Sequence, residues 1–265
     1  MTVGMLRVKN EARWIERSVC SILPICDRVL VLDDHSTDET VAVCAAIPGV
    51  EVFASPFTGL DETRDKNWLL DKARHADWIV MIDGDEMFMP GTLGKLFEAM
   101  HTDAPSISMR VLYLWDRQDL VRMDGVYGEY RRHSAFRPRN HVFSSSTENG
   151  FHCGNVPYRA MLQAVTIDAP LLHFGYLDAV ERERKYCWYN AQNPANHVED
   201  RYRHVAAGLE TPHAELIEKQ KQMRAEAGKR DLFEHELIPR APLATERTMH
   251  AGPLRLEVLC SRTAA

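Results

Sequence analysis

Apolar residues in the first half of the chain arrive in two rhythms. Thr2 to Val8 reads as a strand, and Val50 to Ala54 as a short one. Arg28-Val29-Leu30-Val31-Leu32 and Trp78-Ile79-Val80-Met81-Ile82 are nearly unbroken apolar runs, the signature of strands buried on both faces of a parallel sheet. Between them the period lengthens. Glu11 to Ile22 places Ile15, Val19 and Ile22 on one helical face, with Asn10 as the N-cap. Ser36-Thr37-Asp38-Glu39 reads as a capping box, Ser36 capping and Glu39 completing it, ahead of a helix through Ala46. Asp61 to Ala73 is a helix with Trp68, Leu69 and Ala73 inward, and Pro90 to Met100 is another. Repeated strand–helix units imply a mainly parallel, Rossmann-like central sheet flanked by helices.

The second half is less regular. Ser106 to Trp115 alternates and predicts a strand. Residues 116 to 155 are polar, aromatic and rich in Arg and Ser, which reads as loops and short strands. Asp178 to Tyr189 and Ala214 to Ala227 are helical, and Leu254 to Leu259 reads as an edge strand in a Pro-rich tail. The expected organisation is one α/β domain over residues 1–210 and a helical appendage with a tail over 211–265.

Composition narrows the function classes. The chain has 265 residues, 45% hydrophobic and 26% charged, ordinary for a globular protein with a sizeable core. A net charge of -6 argues against broad nucleic-acid binding. The 6 cysteines form no CxxC pair and no zinc spacing, which fits a reducing, cytoplasmic setting. No apolar run has the length of a membrane span, and the N-terminus lacks a signal-peptide layout. Membrane attachment is therefore expected to be peripheral at most.

The chemistry concentrates at strand ends. Asp83-Gly84-Asp85-Glu86 directly follows the apolar run 78–82. Ligands of open α/β sheets bind beyond the carboxyl ends of the strands. Acids clustered without an adjacent base repel one another unless a cation compensates, and hard oxygens suit Mg²⁺ or Mn²⁺, which bring phosphate with them. Asp-Gly is also a common hairpin dipeptide, but a hairpin leaves a fully apolar strand in need of an antiparallel partner. Asp33-Asp34 ends the second strand in the same way. Its carboxylates suit a uracil imide or ribose hydroxyls, and equally suit a plain turn. Asp38 reads as a first-turn acid on the helix dipole.

Several cations share that edge. Arg7 and Lys9 end the first strand, Lys9 within reach of phosphate; Arg64, Lys66 and Asn67 lie on the helix from 61. His173 closes Pro170-Leu171-Leu172 and is a candidate nitrogen ligand for Mn²⁺. Arg182, Lys185 and Tyr186 lie on the next helix, Arg182 and Tyr186 on one face. They read as a diphosphate clamp or as part of a surface ion-pair network with Glu181 and Glu183. The aromatic–Arg stretch 127–139 suits stacking on sugars or bases. Glu129, Glu148 and His152 are candidate general bases.

Three motifs arrive in a familiar order. Met5-Leu6-Arg7-Val8-Lys9-Asn10-Glu11, Val29 to Thr40 with its Asp33-Asp34-His35-Ser36-Thr37-Asp38-Glu39-Thr40, and Asp77 to Glu86 together resemble the family 2 glycosyltransferases of the GT-A fold. The likeness is to the branch with a "KNE" opening and a "DWI…DxDE" acidic motif. It covers roughly residues 2–100. It implies a nucleotide-diphosphate sugar donor, a UDP-sugar first among them, and Mn²⁺ or Mg²⁺. Asp33 or Asp34 would hold the nucleoside, Asp83 would face ribose or metal, and Asp85 would be the main metal ligand. His173 falls where such enzymes often place a metal-binding His. Residues 1–100 would bind the donor and 101–210 the acceptor: a glycan, a lipid-linked glycan, a small molecule, a protein or a modified nucleobase. No "ED" pair of the kind that often supplies the base stands in the expected region. A sugar-phosphate nucleotidyltransferase shares the architecture but opens on a Gly-rich loop, where this chain has Lys9-Asn10-Glu11-Ala12-Arg13. A non-catalytic nucleotide-sugar binder on the same fold is the remaining alternative.

Overall fold

The computed structural model describes residues 1–122, 127, 130–145, 150–194 and 202–206. These fall into two compact units, one of residues 1–110 and 131–171, the other of 111–130 and the described residues from 172 onward. In chain order the elements are β1 (Thr2–Val8), α1 (Ile15–Ile22), β2 (Arg28–Asp33), α2 (Thr40–Ala45), β3 (Val50–Ala54), α3 (Glu62–Lys72), β4 (Trp78–Met81), β5 (Glu86–Phe88), α4 (Leu93–Met100), β6 (Ser106–Trp115), β7 (Arg117–Val121), β8 (Arg131–Phe136), α5 (Tyr158–Met161), β9 (Val165–Thr166), β10 (Leu171–His173), α6 (Ala179–Gln192) and α7 (Arg203–Ala206).

In the first unit the strands run β3-β2-β1-β4, all parallel. Parallel neighbours need crossovers, and α1, α2 and α3 supply them. The chain places β2 and β3 on one side of β1 and then returns to place β4 on the other. That reversal makes β1 and β4 the switch point, beyond whose carboxyl ends ligands of such sheets bind. Past β4 the sheet becomes mixed. β8 is antiparallel to β4, β6 is antiparallel to β8, and β9 lies parallel along β6. Alternation along the strands builds the two faces. Val3, Met5, Leu30, Leu32, Ile79 and Met81 point into a core closed by Leu69, Leu70 and Ala73 of α3, by Phe136 and Phe143, and by Ala160 of α5. On the opposite face Gly4 admits α1: a Cβ there would stand 2.7 Å from Ile22 Cδ1. Trp68 packs on the rim of the core, edge-on to Phe53 at 5.7 Å.

The second unit holds the outer half of β6, with β7 antiparallel to it, and α6 and α7. Arg182 of α6 is its fully buried anchor. Its guanidinium pairs with Asp116 at 2.6 Å, donates to the Tyr176 carbonyl at 2.9 Å and lies over the Trp115 ring at 4.3 Å.

The strands predicted at 2–8, 50–54 and 106–115 have those bounds. Helix starts differ. α1 begins at Ile15 rather than Glu11, and Asn10 is no cap: it takes φ 56°, a left-handed conformation that Asn tolerates. No capping box forms at Ser36 and Glu39. α2 begins at Thr40, whose N–H donates to Asp38 Oδ1 at 3.0 Å, because Ser36 is engaged by another loop. α4 begins at Leu93 rather than Pro90. The stretch 116–155, expected as loops and short strands, contains β7 and β8, and β8 is an interior strand of the sheet. Among the described residues no helix is long and apolar enough to cross a membrane. The predicted helix 214–227 and strand 254–259 lie outside the described residues.

Candidate functional site

The loops after β1 and β2 are bonded to each other. Three successive amides leave β1, and alternate side chains after β2 receive them. Asn10 N–H donates to Ser36 Oγ at 2.8 Å, Glu11 N–H to Thr40 Oγ1 at 2.8 Å, and Ala12 N–H to Asp38 Oδ2 at 3.1 Å. In return Thr37 N–H donates to Asn10 Oδ1 at 2.8 Å. Burial tends to lift the Asp38 carboxyl, but hydrogen bonds from Thr40 and Ala12 outweigh it and hold it below its ordinary value. Ser36, Asp38 and Thr40 are thus spaced to dock one loop on the other.

Asp33 and Asp34 have different fates. His35 takes φ 56° and turns the chain so that Ser36 N–H reaches back to Asp33 Oδ2 at 3.1 Å. The other oxygen, Asp33 Oδ1, is buried with no hydrogen-bond partner, and the residue is 5% exposed. A buried acceptor left unmet is costly. The turn reading of Asp33 thus accounts for one of its oxygens and leaves the other unused. Asp34 is paired internally. Its Oδ2 lies 2.8 Å from Arg7 Nη2 and 3.5 Å from Lys9 Nζ. Arg7 Nε reaches Asp65 on α3 at 2.9 Å, and Arg64 meets the other Asp65 oxygen at 2.8 Å. Burial opposes the charge on Arg7, but Asp65 and Asp34 more than offset it and raise its pKa. Arg64 also lies over the Phe57 ring at 4.3 Å.

The acidic motif follows β4 as a turn into β5, and β4 pairs with β1 and β8 rather than with β5. The hairpin reading is thereby excluded. The expectation that the acids have no base nearby is also corrected. In β8 the register sets Ile79 against Phe136 and Val80 against Ala135. Arg132 lies further along β8, opposite Met109 of β6, and its side chain reaches the acids. Arg132 Nη1 lies 2.8 Å from Asp83 Oδ2, and Nη2 bonds Glu86 Oε2. Asn155 Nδ2 donates to Asp83 Oδ1 at 3.1 Å, and Asn155 Oδ1 accepts from Lys66 Nζ at 3.1 Å. Lys66 is buried, donates to the Cys153 carbonyl and stands 3.7 Å from Glu62. Burial works against the Asp83 charge, but Arg132 and then Lys66 prevail and hold its carboxyl low. Burial pushes Glu86 up to about 7, with Arg132 pulling it only part of the way back. Asp83 remains 44% exposed, whereas Asp85 is 4% exposed. Arg132 falls in the stretch 127–139 read as a stacking surface and instead bonds the acids, and Asn155 carried no signal, since each acts on partners far away in the chain.

Gly84 is required by packing. A Cβ there would lie 2.9 Å from Glu11 Cγ and 3.1 Å from Glu11 Cβ and Val8 Cγ1. Its carbonyl accepts from Ser18 Oγ at 2.7 Å. Gly84→Ala is expected to cost about 1–3 kcal/mol through overpacking, read as a lower urea midpoint at unchanged slope.

His173, Arg182, Lys185 and Tyr186 belong to the second unit. The His173 ring lies 4.8 Å from Tyr113 and 4.7 Å from Tyr176. The Arg182 guanidinium meets the protein's own Asp116, Trp115 and backbone, Lys185 Nζ stands 5.5 Å from the Tyr176 ring, and the Tyr186 carbonyl accepts from Asn190. The ion pair on this helix is between Arg184 and Glu181 at 2.8 Å, and not the one expected of Arg182, which pairs with Asp116. Asn67 is structural, bonded both ways to the Phe143 backbone. His152 is exposed with φ 59°. Glu129 and Glu148 lie outside the described residues.

The donor set suits a hard divalent ion, since the groups offered are carboxylate oxygens. Among the described residues no group of three or more His, Cys, Asp or Glu side chains is placed to hold a metal ion. Asp83 and Asp85 would therefore need substrate phosphate and water to complete a shell, the usual arrangement for Mg²⁺.

Carboxylates and cations thus gather beyond β1, β2 and β4 of a largely parallel α/β sheet, the edge at which ligands of such sheets bind. The family model for glycosyl transferase family 2 matches residues 6–161, and the chain belongs to that family. Its architecture is the α/β, GT-A type expected of it. An uncharacterised glycosyltransferase of Rickettsia bellii is 39% identical over 84 residues, covering 29% of this chain and 25% of that protein. One from Rickettsia prowazekii is 33% identical over 116 residues, covering 42% and 38%. The matched stretches thus span well under half of these curated relatives. Among solved structures, glucosyl-3-phosphoglycerate synthase from Mycobacterium tuberculosis, in complex with Mn²⁺, UDP and glucosyl-3-phosphoglycerate, is 17% identical with a TM-score of 0.42, over 75% of this chain and 81% of that one.

Proposed function

We propose that this protein moves a sugar from a nucleotide-diphosphate donor, UDP-linked first among candidates, to an acceptor hydroxyl, with Mg²⁺ or Mn²⁺ at the acidic motif. One observation carries the reading: the buried, unmet Asp33 Oδ1 lies on the sheet edge that also carries Asp83 and Asp85. A uracil imide or a ribose hydroxyl supplies the donor it lacks. Lys9, 47% exposed beside Asp34, faces the phosphates. Asp83, held by Arg132 and Asn155, presents its exposed face to ribose or to the cation, and Asp85 is the main cation ligand. The bound cation neutralises charge growing on the departing nucleotide. The acceptor site belongs to residues 101–210, and Glu129 or Glu148 takes the acceptor proton.

The test is Asp33→Ala. Losing a hydrogen bond to a charged group costs about 1.5–3 kcal/mol, so UDP affinity by calorimetry with Mn²⁺ is expected to fall roughly ten- to a hundredfold. Unchanged UDP affinity in a folded variant refutes the nucleoside assignment. Transfer from a labelled donor by the wild type separates an enzyme from a binder.

A further inference from the structure

Arg132 reaches the acidic motif from a strand paired on both edges, to β4 and to β6. Its own backbone pairs with Met109 of β6, and its side chain is only 16% exposed. Nη1 and Nη2 divide between Asp83 and Glu86, a planar fork fitted to two carboxylates. Asp83 N–H also donates to Glu86 Oε2 at 3.0 Å, which closes a ring of three residues. Asn155 takes the second oxygen of Asp83. Each Asp83 oxygen thus already accepts from the protein, one of them from a full cation. A free divalent ion approaching Asp83 meets a positive charge and a carboxylate already in use.

We infer that Arg132 is a built-in counter-cation of the acidic motif: it balances the clustered carboxylates before ligand arrives and weakens binding of a divalent cation alone, so that cation and nucleotide diphosphate enter together. The inference rests on the proposed cation role of Asp83 and Asp85 and adds a residue that sets how strongly they bind it. Arg132 is a positioning residue, acting through Asp83 and Glu86.

The experiment is Mn²⁺ binding to the full chain, followed by electron paramagnetic resonance with and without UDP. Wild type is expected to bind Mn²⁺ weakly alone and at least about tenfold more tightly with UDP. Arg132→Gln keeps a hydrogen-bonding group but removes the charge, and is expected to bind Mn²⁺ alone about tenfold or more tighter than wild type, since a neighbouring charge at this range shifts affinity of a carboxylate for a cation by such factors. Arg132→Lys restores the charge and is expected within about threefold of wild type. Such a gain is not produced by a residue that merely supports the fold. A folded Arg132→Gln with equal or weaker Mn²⁺ binding overturns the inference while wild-type Mn²⁺–UDP binding still supports the functional reading. Should Arg132→Gln not fold, the wild type decides: equal Mn²⁺ affinity with and without UDP overturns the inference. No Mn²⁺ binding in any condition overturns both.

Discussion

Asp85→Ala is expected to lower turnover by on the order of a thousandfold, because the charge stabilisation that a bound cation gives a departing diphosphate is worth several kcal/mol. Asp85 is buried, and its charge works against ionisation of both Asp83 and Glu86. A loss of turnover in a variant that still melts cooperatively is the expected result. Labelled-donor transfer across a Mn²⁺ titration, with a thermal melt beside it, makes the check. An Asp85→Ala enzyme that keeps its turnover and its metal dependence would falsify the site.

Arg7→Met has the largest expected effect on stability. Arg7 bridges Asp34 after β2 to Asp65 on α3, and both carboxylates are buried. Removing one member of a buried ion pair costs about 3–5 kcal/mol, chiefly because the partner's charge is left uncompensated. Arg64 still touches Asp65 and Lys9 still approaches Asp34, so the lower end of that range is expected. For a domain of this size that is a fall of about 10 °C in melting temperature. The double change Arg7→Met with Asp65→Leu should recover part of the loss, because the fully buried anion at position 65 is then gone and Asp34 keeps the approach of Lys9. A single variant within 2 °C of wild type (about 1 kcal/mol) refutes the view that this pair ties α3 to the sheet edge.

The sequence made the sheet legible because buried strands advertise themselves. The bounds of β1, β3 and β6 follow from apolar runs or alternation, and the parallel arrangement follows from the helices between them. Helix starts were obscured by polar residues used elsewhere. Ser36 and Asn10 look like caps, yet each bonds the opposite loop. The acids at 33, 34, 83 and 85 were legible as strand-end residues, but what holds them was not. Arg132 meets Asp83 only because β8 lies beside β4, and Asn155 only through the loop that passes α3. No local window contains both partners. Arg182 misled in the same way: its i, i+4 spacing suggested a ligand clamp, whereas its guanidinium is spent on Asp116 and Trp115 within the second unit.

The alternating Ser36, Asp38 and Thr40 that receive the amides of Asn10, Glu11 and Ala12 carry an evolutionary consequence. Two of the three stretches by which the chain is recognised are the halves of one fastening, so each has a scaffold role that is independent of turnover. Their presence in a distant sequence certifies architecture first. Exchange of one half without its mate breaks three hydrogen bonds between the loops, one of them part-buried.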